Sequence, residues 1–317
     1  MSDGLITVFG GSGFIGRYLV KRLAATGRPI RIATRDPEAG LFLKPMGAVG
    51  QIDLVLANLR DEASVARAVA GAAQVVNLVG VLAEHGKQTF AAVHAEGAAR
   101  VARASLAAGA AQLVHGSALG ASPDAGSAYA RSKADGEAKL RAAFPGATIV
   151  RPSIVFGAED GFLNRFGALA RLSPVLPVFG GGGGTRFQPV YVADVAEAIF
   201  RILQAPERAQ PLYELAGPEV LTLRQVLELV LRETRRRRWI AGVPYGVGSL
   251  CALAARLPFF PKPLRITADQ LRALRTDVVA RPGVAGLADL GIVPTPIATI
   301  APLVLSRYRR ETGPAAR

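Results

Sequence analysis

The stretch LITVFGGSGFIGRYLV, residues 5–20, has the pattern of a strand, a glycine turn and a helix. Its apolar, β-rich start at residues 5–9 stops at the glycine-rich residues 10–13, and apolar side chains then recur at helical spacing. Glycine lets the chain turn tightly, lets the backbone approach a pyrophosphate and lets the helix pack on its own strand. The stretch therefore predicts a dinucleotide-binding turn, with cofactor contacts at Gly10, Gly11, Ser12, Gly13, Phe14, Ile15 and Gly16.

Strand and helix patterns alternate along the chain beyond this turn. The predicted strands cover residues 30–34, 52–56, 75–79, 112–115, 148–150 and 212–215, and a long helix is predicted over residues 90–108. Alternation of this kind is typical of a parallel sheet with helices on both faces, which binds its ligands at the carboxyl ends of its strands. We therefore predict an α/β fold with a Rossmann-type, doubly wound parallel sheet.

The composition indicates a globular protein of a reducing compartment. Half of the 317 residues are hydrophobic, the single cysteine Cys251 permits no internal disulfide, and the three histidines show no metal-ligand spacing. We expect no signal peptide or transit sequence, because the first strand begins at residue 5, so we expect either a bacterial cytoplasmic protein or a mature form. The use of arginine over lysine and the many alanines favour a bacterial source. The charge-free runs at residues 239–255 and 290–306 are each 17 residues long, so no transmembrane helix is predicted.

The excess of positive charge lies mostly in the C-terminal half. The chain has 38 Lys and Arg against 24 Asp and Glu, and four consecutive arginines, Arg235, Arg236, Arg237 and Arg238, precede a helical pattern over residues 250–257. One interpretation is a basic turn before a helix of a small lobe, and another is contact with an anionic lipid surface beside an integral membrane partner. Four arginines at about 1 kcal/mol each give only about millimolar binding to such a surface. Nucleic acid is disfavoured, since no binding motif accompanies the arginines.

The end of the second predicted strand bears on the choice of cofactor. A domain that prefers NAD places Asp or Glu there to bind the ribose 2′-hydroxyl, whereas this chain has Thr34 and Arg35. Arginine suits a 2′-phosphate, so NADP(H) is favoured, with NAD(H) as the alternative and a solvated surface arginine as the alternative for Arg35. Asn58, after the third strand, is placed to reach an adenine edge, and Gly80, after the fourth, lets the backbone pass the cofactor's ribose.

Three polar residues predict a second part of the site. Ser117 ends the fifth strand, and Tyr129 and Lys133 follow four residues apart, on one face of a helix. A cationic lysine beside a phenol lowers the phenol's pKa, so Tyr129 is a candidate proton donor or acceptor for a carbonyl, and Ser117 is a candidate hydrogen-bond partner of the substrate oxygen. The alternative for the Tyr129 and Lys133 pair is an ordinary helix surface.

The glycine turn, Ser117 and the Tyr129 and Lys133 pair resemble the short-chain dehydrogenase/reductase superfamily in its extended or atypical form. Further stretches are similar to the accessory Rossmann subunit of respiratory complex I and its bacterial relatives. The likeness covers about residues 5–200, and a segment at residues 265–279 extends it. It is carried by VVNLVGVL (75–82), QTFAAVHAEGA (88–98), SAYARSK (127–133), RPSIVFGAEDGFLNRF (151–166), TRFQPVYVADVAEAI (185–199) and RITADQLRALRTDVV (265–279).

The resemblance implies roles for individual residues. The glycine turn would cradle the pyrophosphate and Arg35 would hold the 2′-phosphate. The remaining cofactor contacts, along the adenine, ribose and nicotinamide, would be Asn58, Leu59, Val79, Gly80, Tyr129, Lys133, Pro152 and Val155. One departure weakens a catalytic proton relay, because many active members place Asn in the helix after the fourth strand, where this chain has Val93, His94, Ala95 and Glu96.

The resemblance also implies a domain plan and a function. Extended members interleave their two lobes, so we expect an NAD(P)-binding domain over residues 1–157 and 186–217, a smaller C-terminal lobe over 158–185 and 218–306, and a flexible tail over 307–317. The implied function is a non-catalytic, NADP(H)-holding accessory subunit of complex I, bound at the membrane-arm junction on the cytoplasmic face of a bacterial inner membrane. The alternative is a free NADP-dependent oxidoreductase or epimerase that uses Ser117, Tyr129 and Lys133.

Overall fold

The computed structural model describes residues 4–180, 184–248 and 267–310, so the helix predicted over residues 250–257 and the end of the predicted tail lie outside the described residues. The strands, in chain order, are β1 (Leu5–Phe9), β2 (Ile30–Thr34), β3 (Ile52–Leu56), β4 (Ala72–Asn77), β5 (Gln112–Gly116), β6 (Thr148–Pro152), β7 (Val155–Phe156), β8 (Val175–Phe179), β9 (Arg186–Phe187), β10 (Val190–Tyr191), β11 (Leu212–Leu215), β12 (Leu221–Thr222) and β13 (Trp239–Val243). The α-helices are α1 (Phe14–Ala24), α2 (Glu62–Val69), α3 (Glu96–Ala107), α4 (Ala128–Ala143), α5 (Leu163–Leu172), α6 (Val192–Gln204), α7 (Leu223–Thr234), α8 (Ala268–Ala273) and α9 (Ile297–Leu305).

Seven strands form one parallel sheet in the order β11-β6-β5-β4-β1-β2-β3. The strand order reverses between β1 and β4, which is the switch point where doubly wound sheets bind their ligands. This topology confirms the predicted α/β, Rossmann-type fold. The predicted bounds of β2, β3 and β11 are also confirmed.

The helix predicted over residues 90–108 is interrupted. A π-helical turn, Ala91–Ala95, precedes α3, and the wider turn contains His94, whose ring is buried and bonded to the chain after β4. Apolar periodicity does not reveal such a turn, since the extra residue changes the hydrogen-bond ladder without breaking the run of helical residues. The structure therefore corrects one continuous helix to a π turn followed by α3.

The first compact unit comprises Met1–Pro152, Val192–Leu215 and Ala280–Pro294, and contains the sheet. Side chains of β1, β4 and β5 pack with α2, α3 and α4 in one core, which includes Phe9, Val75, Leu113, Val101 and Leu140. Each such side chain contributes about 1.5–3 kcal/mol by leaving water. Helix α1 packs against α6. This core holds the carboxyl ends of the strands, and thus the loops that follow them, in place.

The second compact unit comprises Ser153–Tyr191, Ala216–Val279 and Thr295–Arg317. Helices α5, α7 and α9 share a core with Phe156, Leu176 and Val226. Three pairs of short strands accompany them: β7 with β10, β9 with β12, and β8 with β13. Helix α7 begins at a capping box, in which Thr222 Oγ1 accepts the Gln225 N–H. Within the described ranges, no helix has the length and apolar character needed to cross a membrane.

Candidate dinucleotide site

The glycine turn between β1 and α1 is packed so closely that side chains do not fit. Gly10 has a φ of 77°, in the left-handed region that favours glycine, and its carbonyl accepts the N–H of Gly13 at 3.0 Å. A Cβ on Gly16 would lie 2.2 Å from the Gly10 oxygen and 2.6 Å from Cα of Gly11. Gly16 therefore lets α1 pack directly on the turn, as a pyrophosphate cradle requires.

The N-terminus of α1 is open to an anion. Its N-cap is Gly13, which has no side chain to accept the first N–H groups, and the first turn contains no acidic residue. Such N–H groups and the helix dipole attract phosphate. Arg17 lies one turn along, where its guanidinium donates to the carbonyls of Ser12 and Gly13 and stacks 5.0 Å from the Phe42 ring centroid. Arg17 thus adds positive charge beside the turn.

Arg35 lies at the rim of a groove at the ends of β2 and β3. The groove has a volume of about 450 Å³ and is lined by Arg35, Leu56, Asn58, Arg60, Asp61, Ser64, Arg67 and Gln88. The only carboxylate among these, Asp61, caps α2 by accepting the N–H groups of Ala63 and Ser64. The Nε atom of Arg60 is buried and has no hydrogen-bond partner in the described chain. The groove is therefore positively charged and suited to a phosphate.

Sequence reasoning identified Arg35 and Asn58 in this groove but missed Arg60 and Arg67. Asn58 forms an Asx turn, because its Oδ1 accepts the N–H of Arg60 at 3.1 Å, and Leu59 is buried in the core. The carbonyl of Leu59 also accepts a hydrogen bond from Arg100. A signal for the missed residues was present, since two arginines follow β3 within one helix length of Asn58.

Val79 and Gly80 follow β4 on the other side of the switch point. The N–H of Val79 donates to Asn77 Oδ1 at 3.2 Å, and a Cβ on Gly80 would lie 3.2 Å from Nζ of Lys133. Lys133 is buried and donates to the Gly116 carbonyl at 3.1 Å. Burial lowers the pKa of Lys133 to about 8, although the nearby carboxylate of Glu137 opposes this shift. The structure thus brings Gly80 and Lys133 together as the sequence predicted.

His94 is held beside this pair as a neutral imidazole. Its Nε2 accepts the N–H of Val81 at 3.0 Å, so the proton is on Nδ1, which lies 2.8 Å from the Ser132 hydroxyl. Ser132 in turn donates to the Tyr129 carbonyl. Burial, and secondarily the charge of Lys133, lower the pKa of His94 to about 3. His94 therefore orients the backbone and carries no charge at neutral pH.

Tyr129 is not activated as the sequence predicted. Burial raises the pKa of its phenol to about 12. The ring packs edge-on against His94 and Phe90, with centroid distances of 5.4 and 5.9 Å. The predicted lowering of the Tyr129 pKa is therefore wrong, because the phenol is buried in an aromatic cluster and burial disfavours its charged form.

Ser117 belongs to a buried chain of charged groups that sequence reasoning missed. Its hydroxyl donates to Glu137 Oε1 at 2.5 Å, and Arg151 donates to both oxygens of Glu137 at 2.8 and 2.6 Å. Arg151 also lies 3.5 Å from Glu214, which accepts from Arg281 at 2.9 Å. One signal was available: Glu137 follows Lys133 by four residues on the face of α4 that already carried Tyr129.

Two buried side chains near Lys133 have nitrogen atoms without hydrogen-bond partners in the described chain. His115 and Asn77 pair across β5 and β4, each is 1% exposed, and neither ring nitrogen of His115 nor Nδ2 of Asn77 has a partner in the described chain. Burial, with the charge of Lys133 next in importance, lowers the pKa of His115 to about 3. Among the described residues no group of three or more metal-ligating side chains occurs.

The last two predicted contacts lie on different elements. Pro152 ends β6 in the first unit, where its carbonyl accepts the N–H of Leu119 at 2.9 Å. Val155 begins β7 in the second unit and pairs with Val190 of β10. Both are thus placed by strand pairing.

Comparisons with known proteins match both the fold and most of the sequence. The profile of the NAD dependent epimerase/dehydratase family matches residues 6–216. A Mus musculus protein named NADH dehydrogenase (ubiquinone) 1 alpha subcomplex subunit 9, mitochondrial, is 34% identical over 318 residues, covering 98% of this chain and 81% of that protein. A ceramide reductase of Caulobacter vibrioides is 33% identical over 204 residues, covering 64% of this chain and 62% of that protein. The structure of a UDP-glucose 4-epimerase of Thermus thermophilus in complex with NAD superposes with a TM-score of 0.67 at 20% identity, covering 96% of this chain and 98% of that one, and shows the fold alone.

Proposed function

The chain belongs to the NAD dependent epimerase/dehydratase family, and from that premise we propose that it holds NADP(H) as a non-catalytic accessory subunit of respiratory complex I. The observation that carries the proposal is a contrast within the first unit. The glycine turn leaves no room for a side chain at Gly16, as a dinucleotide cradle requires, whereas the Ser117 hydroxyl is bonded to Glu137. A chain with this contrast binds the cofactor without a ready acid and base.

The glycine turn and the arginine groove fit the two ends of the cofactor. The uncapped start of α1 would receive the pyrophosphate, and Arg35 would hold the 2′-phosphate, which is why NADP(H) is favoured over NAD(H). A bound NADP(H) supplies a hydride that can be donated or accepted. The remaining contacts would be Asn58, Leu59, Val79, Gly80, Tyr129, Lys133, Pro152 and Val155, within the predicted NAD(P)-binding domain of residues 1–157 and 186–217.

Lys133 and Tyr129 have a role in binding that needs no chemistry. Lys133 is anchored to the Gly116 carbonyl beneath Gly80, so its remaining N–H donors would bind ribose hydroxyls. A phenol whose pKa is about 12 remains protonated and donates a hydrogen bond without releasing its proton. Both groups would therefore orient a ribose and hold it.

The proposed partners are complex I subunits at the membrane-arm junction. The supporting observation is the 34% identity, over nearly the whole chain, to a protein named as a subunit of NADH dehydrogenase. The proposed location is peripheral, on the cytoplasmic face of a bacterial inner membrane, with Arg235, Arg236, Arg237 and Arg238 facing anionic lipid.

Purification from native membranes in mild detergent tests both halves of this proposal. We expect the protein to co-purify with complex I subunits and the nucleotide extracted from it to be NADPH. An Arg35→Ala strain is the matched control for the cofactor, since it should retain the subunits and lose the nucleotide. A protein found free of the membrane, which oxidises NADPH with a carbonyl compound, would overturn the proposal.

A second candidate is a free NADP-dependent reductase or epimerase. It is favoured by the similarity to a protein named ceramide reductase and by Lys133, whose pKa of about 8 lets it exchange a proton near neutral pH. The two candidates differ in what Tyr129→Phe does. The substitution keeps the aromatic packing, so the accessory subunit should retain NADPH and complex I activity in cells, whereas a reductase should lose its turnover.

A further inference from the structure

Five arginines surround one cavity in the second unit. The cavity has a volume of about 360 Å³ and is lined by Arg235, Arg236, Arg237, Arg238 and Arg310. The first four follow α7, whereas Arg310 comes from the end of the described chain. The cavity is therefore a product of the tertiary structure, which adds a fifth cation to the sequence run.

The backbone at the end of α7 has a left-handed conformation at Arg235, which is strained for a residue with a side chain. Arg235 has a φ of 53° and is the only residue other than glycine with a positive φ in the described ranges. Its N–H bonds to the Arg232 carbonyl and that of Arg236 to the Leu231 carbonyl, which together form a Schellman motif. Glycine is favoured at this position, because a side chain there is strained. The chain nevertheless has an arginine.

Hydrogen bonds to carbonyls fix the cavity wall. Arg236 Nε donates to the Tyr308 carbonyl at 3.0 Å, and the N–H of Arg310 donates to the Thr234 carbonyl at 3.0 Å, so the two segments are tied together. Arg238 Nε donates to the Ala170 carbonyl at 2.9 Å. Arg236 and Arg238 both use their Nε atoms for these bonds. The Nη nitrogens of Arg236 can therefore donate to a ligand.

The positive charge of the cavity is not neutralised within the described chain. Across residues 4–180, 184–248 and 267–310, none of the five arginines forms an ion pair with a carboxylate, and Glu233 pairs with Arg232 instead. Burial, then repulsion by Arg238, Arg171 and Arg310, lowers the pKa of Arg236. Like charges held this close repel one another, so an anion between them is strongly favoured.

We propose that this five-arginine cavity is a binding site for a ligand that carries two or more phosphate groups. Arginine binds phosphate by pairs of parallel hydrogen bonds, and five guanidinium groups exceed what one phosphate can use. The phosphates come either from a lipid headgroup or from a soluble anion, and the chemistry of the site is the same for both. Binding at this site requires neither the dinucleotide nor complex I. It differs from the general attraction of arginines to an anionic membrane surface, because the ligand fills a cavity.

Binding to two probes tests this site in the full-length protein. One probe is inorganic pyrophosphate, measured by calorimetry with saturating NADPH so that the glycine turn is occupied. The other probe is a phosphatidylcholine vesicle that contains cardiolipin, a lipid with two phosphates per headgroup. Its comparison is a vesicle of the same surface charge that contains phosphatidylglycerol, a lipid with a single phosphate. Binding of pyrophosphate identifies a soluble source, and preference for cardiolipin vesicles identifies a lipid source.

The test variant is Arg237→Gln combined with Arg310→Gln. Neither side chain donates a hydrogen bond to the Tyr308 or Ala170 carbonyl, so the fold should be unaffected. We expect binding of the favoured probe to weaken roughly a hundredfold, at about tenfold per lost arginine. The control is Arg232→Gln, on the same turn but outside the cavity lining, and it should bind as the unmodified protein does. NADPH binding should be unchanged in all of them.

Three results would overturn the inference. The first is that the protein does not bind pyrophosphate and binds the two vesicles equally. The second is that the double variant and Arg232→Gln lose the same amount of probe binding. The third is tighter binding to duplex DNA than to either phosphate probe. Each leaves NADPH holding and complex I association standing, because those two are measured separately, and bears only on the proposed lipid contact of the four arginines. Conversely, loss of NADPH retention in an Arg35 variant does not affect this cavity.

Discussion

The hydroxyl of Ser117 donates a 2.5 Å hydrogen bond to Glu137, and Arg151 donates hydrogen bonds to both oxygens of that carboxylate. A serine that donates its proton to a buried carboxylate has no proton left to donate to a substrate carbonyl. The carboxylate is in turn held by its arginine, so the bond is part of the scaffold at the end of β5. In the proposed function, a chain with this bond binds the cofactor but has no free serine hydroxyl to act on a substrate.

Glu137→Gln should lower the free energy of unfolding by about 2 kcal/mol, because it leaves Arg151 buried with a weaker partner. Urea denaturation monitored by circular dichroism measures the change. The control is Glu96→Gln, whose exposed side chain pairs with Lys139 at the surface, and the stability of this variant should barely change. Equal effects of the two substitutions would show that the buried chain of charges does not hold the strand ends.

Gly16→Ala should abolish dinucleotide binding, since the added Cβ would overlap the Gly10 carbonyl and force α1 away from the turn. A decrease of at least about 2 kcal/mol in the free energy of unfolding should accompany the loss. NADPH titration and thermal melting with and without NADPH measure both. Gly126→Ala is the matched control, because a Cβ there meets no atom within 4 Å. Normal NADPH affinity in Gly16→Ala would disprove the cradle.

Arg35→Ala should weaken NADPH binding by about tenfold or more and leave NADH binding nearly unchanged, because a charge-assisted bond to the 2′-phosphate is lost. Calorimetric titration with the two nucleotides compares them in one protein, so NADH serves as the control. An equal loss of affinity for both nucleotides would mean that Arg35 supports the structure of the groove and does not bind the 2′-phosphate.

Stability should fall as the pH falls below about 6.5. The pKa of His94 and of His115 is about 3 in the folded state, against 6.5 for the ordinary side chain, so between these values the unfolded chain binds protons that the folded chain does not. A change from about pH 7 to about pH 5 should therefore cost as much as about 2 kcal/mol per histidine. Urea denaturation at several pH values measures this slope.

His115→Leu isolates one of these two contributions. It should flatten the pH dependence, and it should keep or raise stability at neutral pH, since both ring nitrogens of His115 are buried without partners. Destabilisation by His115→Leu at neutral pH would indicate instead that a buried water joins His115 to Asn77.

Much of the fold could be predicted because its signals are local. The strand at residues 30–34 and the glycine turn are visible in periodicity and composition within a few residues, and the structure confirms both. The prediction failed for the π turn and for the Tyr129 pKa. Both depend on which side chains and backbone groups surround a residue, and neighbours along the chain do not reveal them.

The sequence by itself determined the parallel sheet, the glycine turn after β1 and the place of Arg35 at the end of β2, because the patterns of strand, turn and helix lie in consecutive residues. Only the tertiary structure decided that Ser117 is bound to Glu137 and that Arg310 joins the arginines after α7. The physical reason is that protonation and charge pairing depend on burial and on distances of a few ångströms, and those are set between segments that lie far apart in the chain.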